Sequence, residues 1–412
     1  MTSQVPPVPA DLIGEDRHPG RGRRLIAGLA VTQTIAYGTL YYAFAVLLTP
    51  LAADLHTSTT TVTGAFTASV LTGALLAVPI GRWLDRHGGR VLMTAGSLAG
   101  ALLLVALANV TTVTQLYVVQ IGIGAAASAS LYEAAFAVVI AFFTADRRAG
   151  AVLAITVVAG FASSIFLPLT GWLVDAYGWR EAVLVLAAVQ AVTVPVHAIL
   201  VRRPAYRITP APRPGRGAGA VRTVLADGGF WLLAVGFTAH TAAVSTLSVH
   251  LIAALISWGQ PPTFAAGIAG LLGVLSVTGR LLSTGLQRRF RTTRVTAAVF
   301  AVQAVAALLL PVIGARTAGA IGAVIGLGIG FGVATIAKPV ILAERYTTLR
   351  YATIAGVLVV PMTLAKATAP LAAAGLHAST GSYTPVLVAV AVCCGLGATA
   401  IATAPVTRSL VD

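Results

Sequence analysis

The sequence has 412 residues, 57% of them hydrophobic and only 9% charged, with a formal net charge of +15. Soluble domains carry about 25% charged residues, so a soluble enzyme and a disordered chain are both excluded. The positive balance does not point to nucleic acid, because the arginines are scattered through short loops with no aromatic or basic stripe to follow a phosphate backbone.

Residues 1–24 are polar, proline-rich and basic at their end (Arg21, Arg23, Arg24), and read as a tail. The tail is too long and mixed for a signal peptide, so the first apolar run is expected to be an uncleaved anchor. Apolar runs then follow at 25–52, 62–84, 91–109, 114–143, 151–174, 181–201, 230–257, 263–287, 294–314, 318–343, 351–375 and 384–405. A crossing helix needs about 20 apolar residues, so these predict twelve transmembrane helices. They are continuous rather than alternating, which argues against a membrane barrel. The expected fold class is all-α integral membrane. Residues 202–229, rich in proline, glycine and arginine, read as a linker between six-helix bundles at 25–201 and 230–405, with a short tail at 406–412. Cys393 and Cys394 are adjacent and cannot build a disulfide framework.

Orientation follows from the basic residues. The tails, the linker and the loops holding Arg82, Arg86, Arg90, Arg147, Arg148, Arg288, Arg289, Arg291, Arg294, Arg345 and Arg350 fall on one side, against Arg180 and Arg316 on the other. Both termini and the linker are therefore expected in the cytoplasm, with the chain in the cell (inner or plasma) membrane. GlyIleGly at 122–124 recurs at 328–330, Asp85-Arg86 aligns with Gln287-Arg288, and Phe143 aligns with Tyr346. These matches share nearly one offset and predict two pseudo-symmetric six-helix bundles, an architecture that transporters use around a midplane site.

Four ionisable residues sit at membrane depth, where an unpaired charge is costly: Glu133, Arg280, Lys338 and Lys366. Glu133 and Lys366 lie about 15 and 22 Å from the cytoplasmic ends of their helices. Arg280 and Lys338 are shallower, and for them snorkelling to the interface is the competing reading. Three cations against one acid predict an anionic substrate. Arginine offers a planar fork for a carboxylate and lysine a point charge. Tyr37 and Tyr41 share a face of the first helix and are candidate contacts for a carboxylate. Glu133 is a candidate proton carrier or a structural partner of Lys338, and His240 a candidate carrier or a packing residue. No GxxxxGKS or GxxxxGKT loop, HExxH or paired CxxC occurs, so no ATPase, metal site, cofactor or enzyme activity is expected.

The stretch Gly81-Arg82-Trp83-Leu84-Asp85-Arg86-His87-Gly88-Gly89-Arg90 resembles the loop signature of the major facilitator superfamily, with Gly81, Asp85, Arg86, Gly88 and Arg90 at the matching positions. The glycine and proline pattern of 160–172 is similar to that of the superfamily's fifth helix. Two departures stand out: Gln120 replaces the arginine of many drug-exporting members, and Gln287 replaces the aspartate in the second copy of the loop. Gly279-Arg280, Lys366 and TyrAlaThrIleAlaGly at 351–356 resemble the branch of monocarboxylate transporters and the oxalate:formate antiporter, where a helix-eight arginine and a helix-eleven lysine hold the substrate. The resemblance implies the major facilitator fold and alternating-access transport of a small organic anion, a carboxylate, by proton symport or anion exchange. It places Arg280 and Lys366 on the anion, and Asp85 with its neighbours at a gate. The expected partners are that anion, protons if transport is symport, and the lipid bilayer, with the chain working as a monomer. The alternative is an exporter of amphipathic metabolites or drugs.

Overall fold

The computed structural model describes residues 19–201, 224–346 and 351–404. The expected tail up to residue 18, the linker from 202 to 223 and the tail from 405 lie outside the described residues. Twelve helices, several of them segmented, make up the described fold. In the first bundle, α1 is Pro19–Tyr37, Gly38–Tyr42 (π-helical) and Ala43–Asp54; α2 is Thr59–His87; α3 is Gly89–Ala108. Next come α4 (Val113–Ser130, Tyr132–Phe142), α5 (Ala145–Ala159, Ala162–Tyr177) and α6 (Trp179–Ala191, Thr193–Leu200). The second bundle holds α7 (Gly228–Ser257), α8 (Pro262–Leu286), α9 (Thr292–Ile313), α10 (Thr317–Phe331, Val333–Tyr346), α11 (Tyr351–Thr380) and α12 (Thr384–Thr403). Eleven of these are long and apolar enough to cross a membrane; the apolar stretch of α8, Leu271–Leu286, is shorter. Several helices outrun the apolar runs: α1 begins at Pro19 and α11 reaches Thr380. Hydropathy marks the lipid core, whereas a helix continues for as long as its backbone bonds are satisfied.

Helix ends follow local chemistry. The Ser58 and Thr112 hydroxyls accept from the N–H groups of Thr61 and Gln115 at the starts of α2 and α4. Gly88 (φ 76°) turns α2 into α3 and Gly178 (φ 89°) turns α5 into α6, in the left-handed region that glycine enters without strain. Asp227 caps α7 by accepting from Gly229 N–H at 3.0 Å, and its other oxygen accepts from Arg345 Nη2 at 2.9 Å and the Tyr346 hydroxyl at 2.6 Å. Burial alone would raise the Asp227 carboxyl; Tyr346, the Gly229 N–H and Arg345 outweigh it and hold its pKa below the ordinary aspartate value. A depressed carboxyl stabilises the fold above the unfolded value and loses that contribution as pH falls through the folded one. Purified protein is therefore expected to melt earlier as pH drops below about 4, and Asp227→Asn is expected to flatten that part of the melting profile.

The two bundles repeat one packing plan. In the first bundle α4 packs on α2 and α3, and α3 on α6; in the second α10 packs on α8 and α9, and α9 on α12; the bundles meet through α2–α11 and through the first segment of α5 against α8. Their cores show how they meet. One buried cluster draws on both bundles at the end that carries the termini, including Ile140, Phe143, Ile155, Ile336, Ile341, Tyr351 and Leu358. At the opposite end each bundle keeps its own cluster, around Leu47 and Leu186 in the first and Leu251 and Leu387 in the second. The molecule is thus sealed at the terminus-bearing end and split at the other. The seal depends on glycine: a β-carbon at Gly81 of α2 would collide with the Ala352 carbonyl of α11, and one at Gly356 with the Ala77 carbonyl. Overpacking costs about 1–3 kcal/mol. Gly81→Val is therefore expected to bias the protein away from this sealed state and to slow transport roughly tenfold, read as labelling of a cysteine placed behind the seal.

Candidate functional site

Of the five segmented helices, the breaks in α1, α4, α5 and α10 position the candidate residues. In α1 the Ala43 N–H donates to the Gly38 carbonyl, one residue farther back than in an α-helix. A β-carbon at Gly38 would run into the Phe166 ring, so glycine lets α5 pack against this turn. The extra residue brings Tyr42 into the group with Tyr37 and Tyr41: ring centroids are 6.3 Å apart for Tyr37–Tyr41, 6.4 Å for Tyr37–Tyr42 and 5.3 Å for Tyr41–Tyr42. In α4 the extended Leu131 (ψ −164°) ends one segment, and Tyr132 and Glu133 open the next. The Ser130 carbonyl freed by this break accepts from Gln33 Nε2 at 2.8 Å. Tyr132 lies 4.5 Å from Tyr37, ring to ring.

Arg280 of α8 reaches the other two breaks. Its Nη1 donates to the Thr156 carbonyl of α5 at 2.9 Å, and its Nε points to the Gly332 carbonyl of α10 at 3.4 Å. A side chain at Gly332 would collide with the guanidinium. The phenols of Tyr132, Tyr42 and Tyr37 are its electrostatic neighbours. Arg280 therefore stays in the middle of the molecule and does not snorkel to the interface. Its Nη2 has no hydrogen-bond partner among the described residues and is not fully sealed off from solvent. The hydroxyls of Tyr37, Tyr42 and Tyr132 are in the same condition, on half-buried side chains. Lys366 of α11 is exposed, with Nζ donating to the Tyr41 hydroxyl at 3.0 Å and lying 5.0 Å from that ring's centre. Tyr42 is within electrostatic reach of both cations.

Glu133 and Lys338 form an ion pair between bundles, with Lys338 Nζ donating to Glu133 Oε1 at 2.5 Å. The lysine side chain is 7% exposed and the glutamate 33%. Lys338 is thus held under Glu133, neither snorkelling nor in the open cleft. Among the described residues, Glu133 Oε2 and the Tyr351 hydroxyl of α11 are both buried without a partner, and Glu133 is the first electrostatic neighbour of that phenol. Three cations and one acid thus resolve into one internal pair plus Arg280 and Lys366.

The structure does not bring His240 to this group. The imidazole is 2% exposed, bonds Gln303 Oε1 at 2.9 Å and stacks on Phe300 at 3.7 Å within the second bundle. His250 bonds the Pro370 carbonyl at 3.0 Å, toward the split end. Among the described residues no cluster of three or more His, Cys, Asp or Glu could hold a metal.

At the sealed end, the Asp85 carboxylate accepts from the backbone N–H groups of Ala352 (3.1 Å) and Thr353 (2.8 Å) and from the Thr353 hydroxyl (2.5 Å). A carboxylate at a helix N-terminus meets free N–H groups and the positive end of the dipole. Arg86 lies in the last turn of α2, Gly88 supplies the turn, and Arg90 Nε donates to the Ala198 carbonyl of α6 at 2.7 Å. Asp85→Asn keeps the shape but removes the charge. It is expected to lower the turnover rate several-fold with half-saturation unchanged within about twofold, measured from initial uptake rates.

Residues 29–370 match the family model described as Major Facilitator Superfamily. The chain belongs to the major facilitator superfamily. It is 31% identical over 208 residues to monocarboxylate transporter 13 of Rattus norvegicus, covering 50% of this chain and 47% of that protein. It is 28% identical over 207 residues to the Bos taurus protein of the same name, with the same coverage. The chain spans about half the length of these curated relatives, and the likeness supports the monocarboxylate transporter branch. Among solved structures, the E. coli fucose:proton symporter FucP superposes with a TM-score of 0.73 at 14% identity, covering 93% of this chain and 98% of that one. A bacterial homologue of the iron transporter ferroportin, in an outward-facing state, gives 0.73 at 15% identity, covering 93% and 99%. These two likenesses show the shared fold. The family and the fold are those of membrane transporters.

Proposed function

We propose that this major facilitator is a secondary transporter of a small organic anion, a carboxylate, held between the bundles. One arrangement supports the reading: among the described residues Arg280 Nη2 and the hydroxyls of Tyr37, Tyr42 and Tyr132 have no hydrogen-bond partner, and the three phenols are electrostatic neighbours of that guanidinium. A guanidinium edge beside phenolic donors suits a carboxylate, which accepts at both oxygens. Lys366 and Tyr41 close the far flank and add a second positive charge. The arginine-rich loops put the sealed end in the cytoplasm, so the site described here opens outward. Glu133, paired with Lys338 just below the site, takes up the proton if transport is symport; if it stays ionised, the cycle is anion exchange. Lysine 338, as the partner of Glu133, supports the site from beneath rather than touching the anion.

The test is uptake of radiolabelled lactate and oxalate into proteoliposomes at two external pH values. Saturable uptake that Arg280→Ala eliminates is the expected result. No uptake of either acid, with extrusion of an amphipathic dye instead, would replace this reading with that of an exporter.

A further inference from the structure

The cleft has one strong anion seat and a long aromatic wall. The wall is contiguous: Tyr132 packs on Tyr37, Tyr37 on Tyr41 and Tyr42, and Tyr41 lies 5.2 Å from Phe66, which stacks on Phe44 at 4.6 Å. All four tyrosines are only half buried, so part of this surface remains without a protein partner. The two cations are not equivalent. Arg280 offers a free Nη2 at the Tyr132 end, whereas the Lys366 amine is already bonded to the Tyr41 hydroxyl and its charge is already placed beside that ring.

We infer that the anion is an aryl monocarboxylate, seated with its carboxylate on Arg280 and its ring against Tyr132, Tyr37 and Tyr42. This rests on the carboxylate reading above and narrows it. The Lys366 amine keeps two N–H donors beside its bond to Tyr41, so a compact dicarboxylate bridging Arg280 and Lys366 is the rival occupant, and oxalate is its probe. A small aliphatic acid fills the Arg280 seat but leaves the phenol faces wet. An aromatic body covers them and gains edge-to-face or offset contacts with rings at these spacings. Tyrosine suits both tasks, since its face packs the ring while its hydroxyl donates to the carboxylate.

Benzoate and cyclohexanecarboxylate separate the two contributions, because they share the carboxylate and nearly the same size and differ in the π system. Equilibrium binding of radiolabelled benzoate to the purified full chain is competed with both acids, with lactate, with oxalate and with uncharged benzyl alcohol. Benzoate is expected to compete about three- to tenfold better than cyclohexanecarboxylate, and better than lactate by more than about tenfold. Tyr132→Leu is expected to bring benzoate and cyclohexanecarboxylate to parity, and Tyr132→Phe to keep them apart; Tyr42→Leu and Tyr42→Phe repeat the comparison should the first pair fold poorly. Parity in the wild type, or stronger competition by lactate or oxalate, overturns the aryl assignment and leaves the carboxylate reading standing. Absence of saturable benzoate binding also overturns it, and lactate and oxalate uptake then show whether the carboxylate reading survives. Competition by benzyl alcohol equal to that by benzoate overturns both.

Discussion

Arg280→Ala is expected to reduce carboxylate uptake to the level of empty vesicles while the protein still inserts and purifies normally. The substitution removes the free Nη2 that faces the cleft and the contacts to the Thr156 and Gly332 carbonyls. Charge-assisted hydrogen bonds contribute about 1.5–3 kcal/mol each, and a bidentate seat loses more than one. Arg280→Lys keeps the charge but loses the planar fork and the span between α5 and α10, so a loss of about 100-fold in uptake efficiency is expected. Lys366→Ala is expected to cost less, about tenfold, because its amine is exposed and already bonded to Tyr41. The ordering, with Arg280→Ala worst and Lys366→Ala mildest, is read from initial rates across a substrate series. Equal rates in Arg280→Ala and wild type would remove the anion seat.

Glu133→Gln is the second large effect. The pair with Lys338 crosses from α4 to α10 at the top of the sealed region, and its lysine is 7% exposed. Removing one partner of a buried pair costs about 3–5 kcal/mol; the glutamate is one-third exposed, so the lower half of that range is the expectation. The glutamine variant is expected to bind the anion with little change, to lose stimulation by an inward proton gradient, and to open its sealed end more often. Substrate binding at two pH values, gradient-driven uptake and cysteine labelling behind the seal measure the three effects. Combining Glu133→Lys with Lys338→Glu rebuilds a pair of opposite polarity and is expected to restore the seal more fully than it restores the pH response. Full gradient stimulation in Glu133→Gln would remove Glu133 from coupling.

The fold was legible in the sequence because lipid leaves a chain few options: every backbone group must bond within its own segment, so the apolar runs became the helices. The site was legible in part. Buried charges are rare in a membrane, so Glu133, Arg280, Lys338 and Lys366 stood out individually. Their pairing did not, since Glu133 and Lys338 are 205 residues apart and only packing brings them together. Tyr42 and Tyr132 were missed for a different reason. An ideal 3.6-residue period groups Tyr37 with Tyr41, while the π-turn at Gly38–Tyr42 adds Tyr42, and nothing in composition announces such a turn. Tyr132 owes its position to the break at Leu131, which has no glycine or proline to signal it. Histidine 240 has the right depth for a proton carrier, but depth does not reveal that its ring lies flat on Phe300.

The guanidinium of Arg280 holds a carbonyl of α5 and faces the space proposed for the anion. Along the other margin of the seal, α2 and α11 are tied by Asp85; the amide of Gln287, at the corresponding turn after α8, has no partner among the described residues. The two margins therefore part differently. On the proposed reading, an arriving anion would compete with Thr156 for the same cation, and the α5–α8 margin is expected to slacken first, with α2–α11 as the pivot about which the halves rotate. Occupancy would then be sensed on one side of the molecule and movement borne by the other.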